Sequence, residues 1–430
     1  MSLEVGAILL FGLFLLLVVL GVPVAISLGL ASLGTILYLG KPAVLVIERM
    51  FATLEYFPLL AIPFFLLAGC IMNRGGITDT FVDLSTKWVG HIRGGLAHVV
   101  VVVNMFMGGV SGAATADLAA VGPIMIPAMV RAGFSRRFAA ALNATASTMG
   151  PIIPPSILMV VYGAVTGVSI GALFLAGFMP GVLMGLGQMG FVYWYARRHG
   201  LQGTQWAGIR EMGRAIPPAL LPLGVPVLII GGILGGVFTA TEAAAAAVVY
   251  ALLVTVGIKK TIRLSELGDL FRESVVTVSS VLFAIAGAVL FGWLVAFLRI
   301  PDLALNLMRA SGSSQALAFT AIIALYLILG TFLDGVPIII IFVPITVEIG
   351  KTVGIDPLHL GIVSVMTIVI GLLTPPFGLC LMMGAGLAGL SVMEVFVEVL
   401  PMIGLLVATV ALVAVFPSIV LVVPRLVGAY

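Results

Sequence analysis

Two proline-interrupted segments are the parts of this sequence whose residue types and spacing could bind a small ion or an anion. The first is Gly150-Pro-Ile-Ile-Pro-Pro-Ser156 and the second is Gly371-Leu-Leu-Thr-Pro-Pro-Phe-Gly378. Each lies in an apolar run without Asp, Glu, Lys or Arg, residues 138–196 and 357–393. Proline removes an amide donor and clashes with the preceding turn, so no continuous helix is expected there. Broken backbone at membrane depth needs burial in protein or a polar cavity, which predicts a site at each break.

Each break offers oxygen ligands for a cation. One half-helix ends in free carbonyl groups and the next begins with free amide groups, so the break can coordinate a small cation and hold a carboxylate. Sodium, a hard cation, prefers oxygen ligands. The predicted ligands are Ser111, Gly112 and Thr115 opposite Gly150 and Pro154 at the first site, and Thr331 and Asp334 opposite Gly371 and Thr374 at the second.

The amide ends of the same breaks are the places where a carboxylate substrate could bind. Polar residues leading into the first break, Asn143, Thr145, Ser147 and Thr148, could face the same cavity. The predicted substrate-contacting residues are Asp117, Asn143, Pro155, Ser156, Pro376 and Gly378.

Three acidic residues, Asp117, Glu242 and Asp334, are predicted to lie at membrane depth. An intramembrane acid is costly and is a functional candidate by default. Asp117 could equally cap the N-terminus of a returning hairpin helix. Glu242 opens an alanine-rich helix, where a carboxylate is stabilised by the helix dipole. Asp334 lies between two glycines at a predicted hairpin tip, which favours a ligand role. The four histidines are scattered, and no catalytic metal cluster is indicated.

The composition is that of a polytopic membrane protein. Of 430 residues, 62% are hydrophobic and 9% are charged, whereas soluble proteins carry about 25% charged residues. The net charge of +3 comes from basic residues in short loops, which do not form a nucleic-acid-binding surface.

No positively charged segment precedes the first apolar run, so we expect no cleavable signal peptide. Cys70 and Cys380 lie in apolar surroundings, which favours two buried thiols over a disulfide.

The apolar runs predict an all-helical plan that occurs twice. The first half gives two short spans (5–40), an amphipathic surface helix (41–56), a span (57–73), a re-entrant hairpin (94–130), a broken span (135–167) and a whole span (171–196). The second half gives a helix pair (215–236 and 242–258), an amphipathic connector (259–273), a span (274–298), a hairpin (314–353), a broken span (356–389) and a last span (399–423).

An offset of 221 residues aligns the two halves. It brings Gly150 onto Gly371, Pro154 and Pro155 onto Pro375 and Pro376, and Gly109 onto Gly330. The loops on one predicted face hold most of the basic residues, so that face is expected to be cytoplasmic. Both termini are then outside, the two hairpins enter from opposite faces, and the repeats are inverted. This architecture is typical of secondary transporters.

Five segments resemble the large membrane subunit of tripartite ATP-independent periplasmic (TRAP) transporters, and the resemblance covers essentially the whole chain. They are Ser111-Gly-Ala-Ala-Thr-Ala-Asp-Leu-Ala-Ala-Val-Gly-Pro123, Gly150-Pro-Ile-Ile-Pro-Pro-Ser156, Thr239-Ala-Thr-Glu-Ala-Ala-Ala245, Asp334-Gly-Val-Pro337 and Thr374-Pro-Pro-Phe-Gly378. The chain departs from the family at Ala240, where the family often has proline; this affects a scaffold turn.

The resemblance implies a sodium-driven elevator transporter of the ion-transporter superfamily in the bacterial inner membrane. It implies that Na+ is the coupling ion, that the substrate is an organic acid such as a dicarboxylate, keto acid or sugar acid, and that the partners are a small four-helix membrane subunit and a periplasmic substrate-binding protein. The expected division is scaffold (1–93), transport domain (94–170), scaffold (171–312), transport domain (313–390) and a C-terminal scaffold helix (391–430).

Three other classes of function remain to be weighed against this one. A self-sufficient carboxylate carrier of the same superfamily, coupled to sodium or protons, would need no binding protein. An intramembrane hydrolase would need a nucleophile paired with a base, or a zinc motif, and the sequence has neither. A passive channel fits poorly with two matched breaks and no continuous polar stripe. We therefore expect a transporter subunit and not an enzyme.

Overall fold

A computed structural model describes residues 3–54, 57–310 and 314–430, and every regular element in these ranges is a helix. Eight of the helical segments are long and apolar enough to cross a membrane. The predicted all-α polytopic fold is therefore confirmed.

The helices of the first half end with one continuous span of 29 residues, α10. In chain order they are α1 Leu3–Val19, α2 Val24–Tyr38, α3 Val44–Leu54, α4 Ala61–Arg74, α5 Ile77–Val89, α6 Gly95–Ser111, α7 Ala114–Arg131, α8 Arg136–Ser147, α9 Ile157–Thr166 and α10 Ile170–Arg198, with a 3₁₀ turn at Phe57–Leu60 before α4.

The second half follows after a connector that contains the short helix α11. Its helices are α11 Ile209–Arg214, α12 Ile216–Leu234, α13 Ala240–Leu252, α14 Leu267–Phe297, α15 Ile300–Ala310, α16 Gln315–Gly330, α17 Gly335–Thr352, α18 Pro357–Gly371, α19 Leu379–Ala388, α20 Val392–Val415 and α21 Ser418–Leu426. A π-helical turn, Leu253–Ile258, continues α13, and a 3₁₀ turn, Leu264–Glu266, precedes α14.

The offset of 221 residues holds for the helix bounds as well as for the sequence. It carries α7 onto α17 with the same first and last positions, and it carries α8 and α9 onto α18 and α19 within a few residues. The peptide bonds Pro154-Pro155 and Pro375-Pro376 are both cis. The element order therefore repeats; the inverted orientation of the repeats across a membrane stays a prediction.

Both predicted hairpins and both predicted breaks are present. Helices α6 and α7 pack against each other around a turn at Gly112, and α16 and α17 pack around a turn that ends at Asp334. Residues 148–156 separate α8 from α9, and residues 372–378 separate α18 from α19. The prolines explain these breaks, since they cannot donate the amide hydrogen bonds that would continue a helix.

Several predicted boundaries differ from the observed helices. Helix α14 begins at Leu267, so it includes part of the stretch predicted as a connector. Helix α20 begins at Val392, because Ser391 and Glu394 form a capping box there, and the last predicted span is divided between α20 and α21. The predicted surface helix is α3, and residues 55–56 at its predicted end lie outside the described residues.

The helices pack in two groups, the two contact groups. Helices α1 to α4 and α12 to α14 pack on one another, whereas α10 packs on α6, α9, α18 and α20, and α20 packs on α8, α18 and α19. Helices α10 and α20, which were expected in the scaffold, therefore lie against the hairpins and the broken helices. The expected boundary between residues 312 and 313 falls outside the described residues.

The two cysteines are not linked to each other. Cys70 on α4 is partly buried, and Cys380 on α19 is fully buried, and both are free thiols. This agrees with the preference for buried thiols over a disulfide.

Candidate functional site

One backbone hydrogen bond joins the first break to the tip of the first hairpin. The Ile157 amide donates to the Gly112 carbonyl over 3.4 Å. Ser156 caps α9, because its hydroxyl accepts from the Met159 amide at 3.2 Å. The same hydroxyl donates to the Pro151 carbonyl, so the break folds back on itself. Ser156 is thus a structural cap, and its hydroxyl is already committed.

Glycines allow this close approach between the hairpin and the break. A Cβ atom on Gly112 would lie 2.5 Å from the Pro155 carbonyl oxygen, and Gly112 has a positive φ of +64°. A Cβ on Gly108 would lie 2.9 Å from the Gly150 Cα. Distances under 3 Å to backbone leave no room for a side chain, so the backbones of tip and break touch directly.

Asp117 is the buried charge of this first site. Its side chain is fully buried, and one carboxylate oxygen accepts a hydrogen bond from the Ser111 hydroxyl. The other oxygen has no hydrogen-bond partner among the described residues, and a Cβ on Gly150 would lie 2.3 Å from it. The residue that caps α7 is Ala113, without a side-chain cap. Asp117 therefore faces the break, beside the predicted cation ligands Ser111 and Gly150, and does not cap the helix.

The second site repeats the contact between tip and break. The amides of Phe377 and Gly378 donate to the Thr331 carbonyl at 3.1 Å and 3.4 Å. A Cβ on Gly371 would lie 2.4 Å from the Gly330 Cα. The Thr374 hydroxyl donates to the Gly371 carbonyl over 2.7 Å. The predicted ligands Thr331, Gly371 and Thr374 are thus brought together around one tip.

Asp334 differs from Asp117 in its exposure. It caps α17, accepting from the Gly335 amide at 2.8 Å, and its side chain is exposed in the space between the helices. It lines a cavity of 210 Å³ together with Thr331, Phe377 and Gly378. Asp334 therefore faces the second break while remaining accessible from the larger cavity described next.

A cavity of about 410 Å³ lies between the two hairpin tips. Gly112 and Thr115 line it from the first tip, and Asp334 lines it from the second. Thr277 and Val281 of α14 form part of its wall. Pro151 and Leu372 line it from the two breaks. A volume of this size fits a small organic molecule. The cavity therefore joins both hairpins, both breaks and two helices of the other contact group, α14 and, through Leu66, α4.

None of the six predicted substrate residues lines this cavity, and Gly378 lines the smaller one. Asn143 is fully buried, and its amide donates to the Ala139 carbonyl at 2.8 Å, while its side-chain oxygen has no partner among the described residues. Pro155 and Ser156 are buried under the tip, and Pro376 is exposed at the second break. Hydroxyls of the polar run before the first break donate to carbonyls of their own segment: Thr145, Ser147 and Thr148.

Thr277 is a cavity residue that the sequence reading missed. It lies in α14, and its hydroxyl donates to the Glu273 carbonyl at 3.2 Å. Thr277 is one of four hydroxyl residues in α14, and such side chains commonly bond to the preceding turn, so its presence is a weak signal. Only the packing of α14 across the hairpins shows that it reaches the cavity.

Glu242 has the structural role that the sequence favoured. Its carboxylate accepts from the amide and the hydroxyl of Thr239, both at 2.8 Å, and forms a capping box at the start of α13. The side chain is exposed and lines neither cavity at the hairpin tips. It is therefore a helix cap and not a part of the site.

The chain resembles known proteins over nearly its whole length. The family model described as "Tripartite ATP-independent periplasmic transporter, DctM component" matches residues 11–419. The chain is 40% identical to the uncharacterized protein YgiK of Salmonella typhimurium, over 97% of both chains. It is 39% identical to the C4-dicarboxylate TRAP transporter large permease protein DctM of Pseudomonas aeruginosa, over 94% of both. It is 35% identical to the sialic acid TRAP transporter large permease protein SiaM of Vibrio cholerae, over 95% of this chain and 96% of that protein.

A solved structure shares the fold. The YdaH transporter of Alcanivorax borkumensis superposes with a TM-score of 0.59 over 86% of both chains, at 13% sequence identity. At this identity the likeness concerns the arrangement of the helices alone.

Proposed function

Because the chain belongs to the DctM family of large permease proteins of TRAP transporters, we propose that it imports a small organic acid by sodium-coupled, binding-protein-dependent secondary transport. The observation that carries the proposal is the cavity between the hairpin tips. Thr115 and Asp334 line it from the two hairpins, and Thr277 lines it from α14, a helix of the other contact group. A site shared by two groups of helices is what a carrier needs if one group moves relative to the other.

Sodium is the coupling ion that the two breaks suit best. At the first site a hydroxyl, a carboxylate and the backbone of a break converge, from Ser111, Asp117 and Gly150. A buried carboxylate with one unpaired oxygen is costly unless a positive charge compensates it. Oxygen ligands without nitrogen or sulfur suit a hard cation. The second site supplies the Thr331 and Thr374 oxygens and the Asp334 carboxylate.

A carboxylate is the substrate class we propose. Relatives of the chain are named for C4-dicarboxylates and for sialic acid, which are organic acids. Helices α7 and α9 begin at the tip and at the break, and the N-terminus of a helix favours an anion. Sodium bound beside the cavity would add positive charge for the same anion. Substrate and ion binding would then favour each other.

Transport would proceed by an elevator movement. The moving unit would contain the hairpins and broken helices, with α10 and α20 included because they pack on these elements. Helices α1 to α4 and α12 to α14 would form the scaffold in the bacterial inner membrane. We place both termini in the periplasm, by the distribution of basic residues. A small four-helix membrane subunit would bind the scaffold, and a periplasmic substrate-binding protein would deliver the acid.

Uptake in proteoliposomes tests the proposal. The chain and a small TRAP subunit would be reconstituted, and uptake of succinate, pyruvate and gluconate would be measured with and without a sodium gradient and a candidate binding protein. Uptake that needs both establishes the tripartite carrier. Sodium-driven uptake without any binding protein would instead identify a self-sufficient carrier, and uptake indifferent to sodium would reject both proposed cation sites.

A further inference from the structure

The cavity of about 410 Å³ between the hairpin tips has few polar side chains in its lining. As far as the structure describes that lining, they are Thr115 on α7, Asp334 at the second tip and Thr277 on α14. The other lining residues are glycine, alanine, proline, methionine and branched aliphatic residues. Because the polar groups are few, the hydrogen bonds that each can still form decide which ligand the cavity holds.

Thr277 is left as a hydrogen-bond acceptor. Its hydroxyl donates its single hydrogen to the Glu273 carbonyl, one turn earlier on α14, at 3.2 Å. Thr277 is exposed and lines the cavity, so the lone pairs of its oxygen remain for a ligand. A carboxylate has only acceptor oxygens and cannot use these lone pairs, whereas a hydroxyl group can donate to them.

Thr115 has the complementary capacity. It lies in the first turn of α7, and its hydroxyl forms no hydrogen bond with the residues that the structure describes. It can therefore donate to a carboxylate at the N-terminus of this helix, where the helix dipole favours an anion. Asp334 is an acceptor like Thr277, so the cavity offers more acceptors than a carboxylate alone can use.

The two threonines belong to different contact groups. Thr115 is part of the first hairpin, and Thr277 is part of α14, which packs with the other group. A ligand that bonds to both must carry an acceptor at one end, for Thr115, and a donor at the other, for Thr277. A hydroxylated organic acid has both kinds of group, and the same acid without its hydroxyl has only the first.

We propose that Thr277 is a specificity-determining residue, which accepts a hydrogen bond from a hydroxyl group of the substrate while the substrate carboxylate lies at the first hairpin tip. The cavity then favours hydroxylated organic acids over the same acids without the hydroxyl group. This inference rests on the proposed function, because it narrows the substrate class of the same site.

Ser280 provides a matched control on the same helix. Its hydroxyl is exposed and donates to the Val276 carbonyl at 3.0 Å, the same kind of bond that Thr277 forms with the preceding turn. Ser280 is not among the residues that the structure shows to line the cavity. Ser280→Ala thus removes a similar hydroxyl outside the cavity. Thr277→Val removes the hydroxyl inside it while keeping the shape of the side chain, and Thr277→Ser keeps the hydroxyl.

Protection from thiol labelling tests the inference without relying on transport. Val281→Cys places a thiol in the cavity wall, one turn after Thr277, and the parent chain with Cys70 and Cys380 gives the background rate. The concentration that halves the rate of methanethiosulfonate labelling is measured for butyrate and for its monohydroxy derivatives.

Thr277→Val should raise the half-protecting concentration about fivefold for at least one hydroxybutyrate, the usual effect of losing one hydrogen bond. It should leave the value for butyrate unchanged, which also shows that the variant is folded. Thr277→Ser and Ser280→Ala should match the parent. Equal changes for butyrate and the hydroxybutyrates, or no change for any of them, would overturn the inference.

Uptake in proteoliposomes separates this inference from the proposed function. Uptake of hydroxylated acids with a KM that Thr277→Val does not change would keep the carrier and reject the role of Thr277. Protection that depends on the Thr277 hydroxyl, in a chain that takes up no organic acid, would support the inference and reject the carrier. A thiol at position 281 that no acid protects would reject both.

Discussion

Ser111 donates a hydrogen bond to the carboxylate of Asp117 inside the first hairpin, and the offset of 221 residues puts Phe332 and Ile338 at the matching positions of the second. The second hairpin has its acid at the tip instead, where Asp334 matches Ala113 of the first. The backbone contacts of tip and break thus repeat, but the charges do not. The two proposed cation sites are unequal, one with a buried carboxylate and one with an exposed carboxylate.

The first prediction concerns the buried acid. Asp117→Asn keeps an oxygen that can accept from Ser111 but removes the negative charge beside Gly150. If a cation compensates that charge, we expect the sodium concentration for half-maximal uptake to rise by an order of magnitude or more. Sodium activation curves in proteoliposomes measure this. An unchanged curve, in a protein that still inserts and assembles, would remove Asp117 from the first cation site.

The second prediction concerns the exposed acid. Asp334→Asn should weaken the sodium dependence of uptake less than Asp117→Asn does, because Asp334 opens to a cavity, whereas one buried oxygen of Asp117 has no hydrogen-bond partner among the described residues. It should also alter the KM for the organic acid, since Asp334 lines the cavity at the tips. Sodium activation and substrate saturation are measured on the same preparation. If neither quantity changes, Asp334 is only the helix cap that its bond to Gly335 indicates.

The third prediction tests the direct contact of backbones at the second break. Gly371→Ala would place a Cβ 2.4 Å from the Gly330 Cα, which neither backbone can accommodate without moving. We expect uptake to fall at least tenfold. Gly404→Ala on α20 is the control, because nothing lies within 4 Å of its added Cβ. Equal uptake by the two variants would show that tip and break need not touch during transport.

The fourth prediction tests whether Glu242 is only a helix cap and takes no part in binding sodium or substrate. Thr239→Ala removes the hydroxyl that shares the capping box with Glu242. We expect a decrease of about 1–2 °C in the melting temperature in detergent, with the KM for sodium and substrate unchanged. Ser280→Ala, which removes an exposed hydroxyl bonded within α14, serves as the control and should have a smaller effect. A changed sodium dependence in Thr239→Ala would contradict the assignment of Glu242 as a cap.

Local chemistry made several features predictable from the sequence alone. The double prolines at Pro154 and Pro375 lie inside long apolar runs, where they cannot continue a helix, so both breaks could be placed from the residues around them. Glu242 lies three residues after Thr239, and that spacing is enough to form a capping box. The repeat, the all-helical class and the two hairpins followed in the same way. Apart from the repeat, which compares two distant segments, each of these depends on residues that are near neighbours in the chain.

Tertiary packing decided the rest. The sequence could not show that Asp117 turns toward Gly150, 33 positions later, or that Thr277 reaches a cavity between two distant hairpins. It also could not show that α10 and α20 pack on the broken helices, since both are apolar around much of their circumference. In a membrane, apolar faces suit lipid and protein alike, so hydropathy does not say which helix a face will meet. Only the close fit of particular side chains and glycines selects the partner.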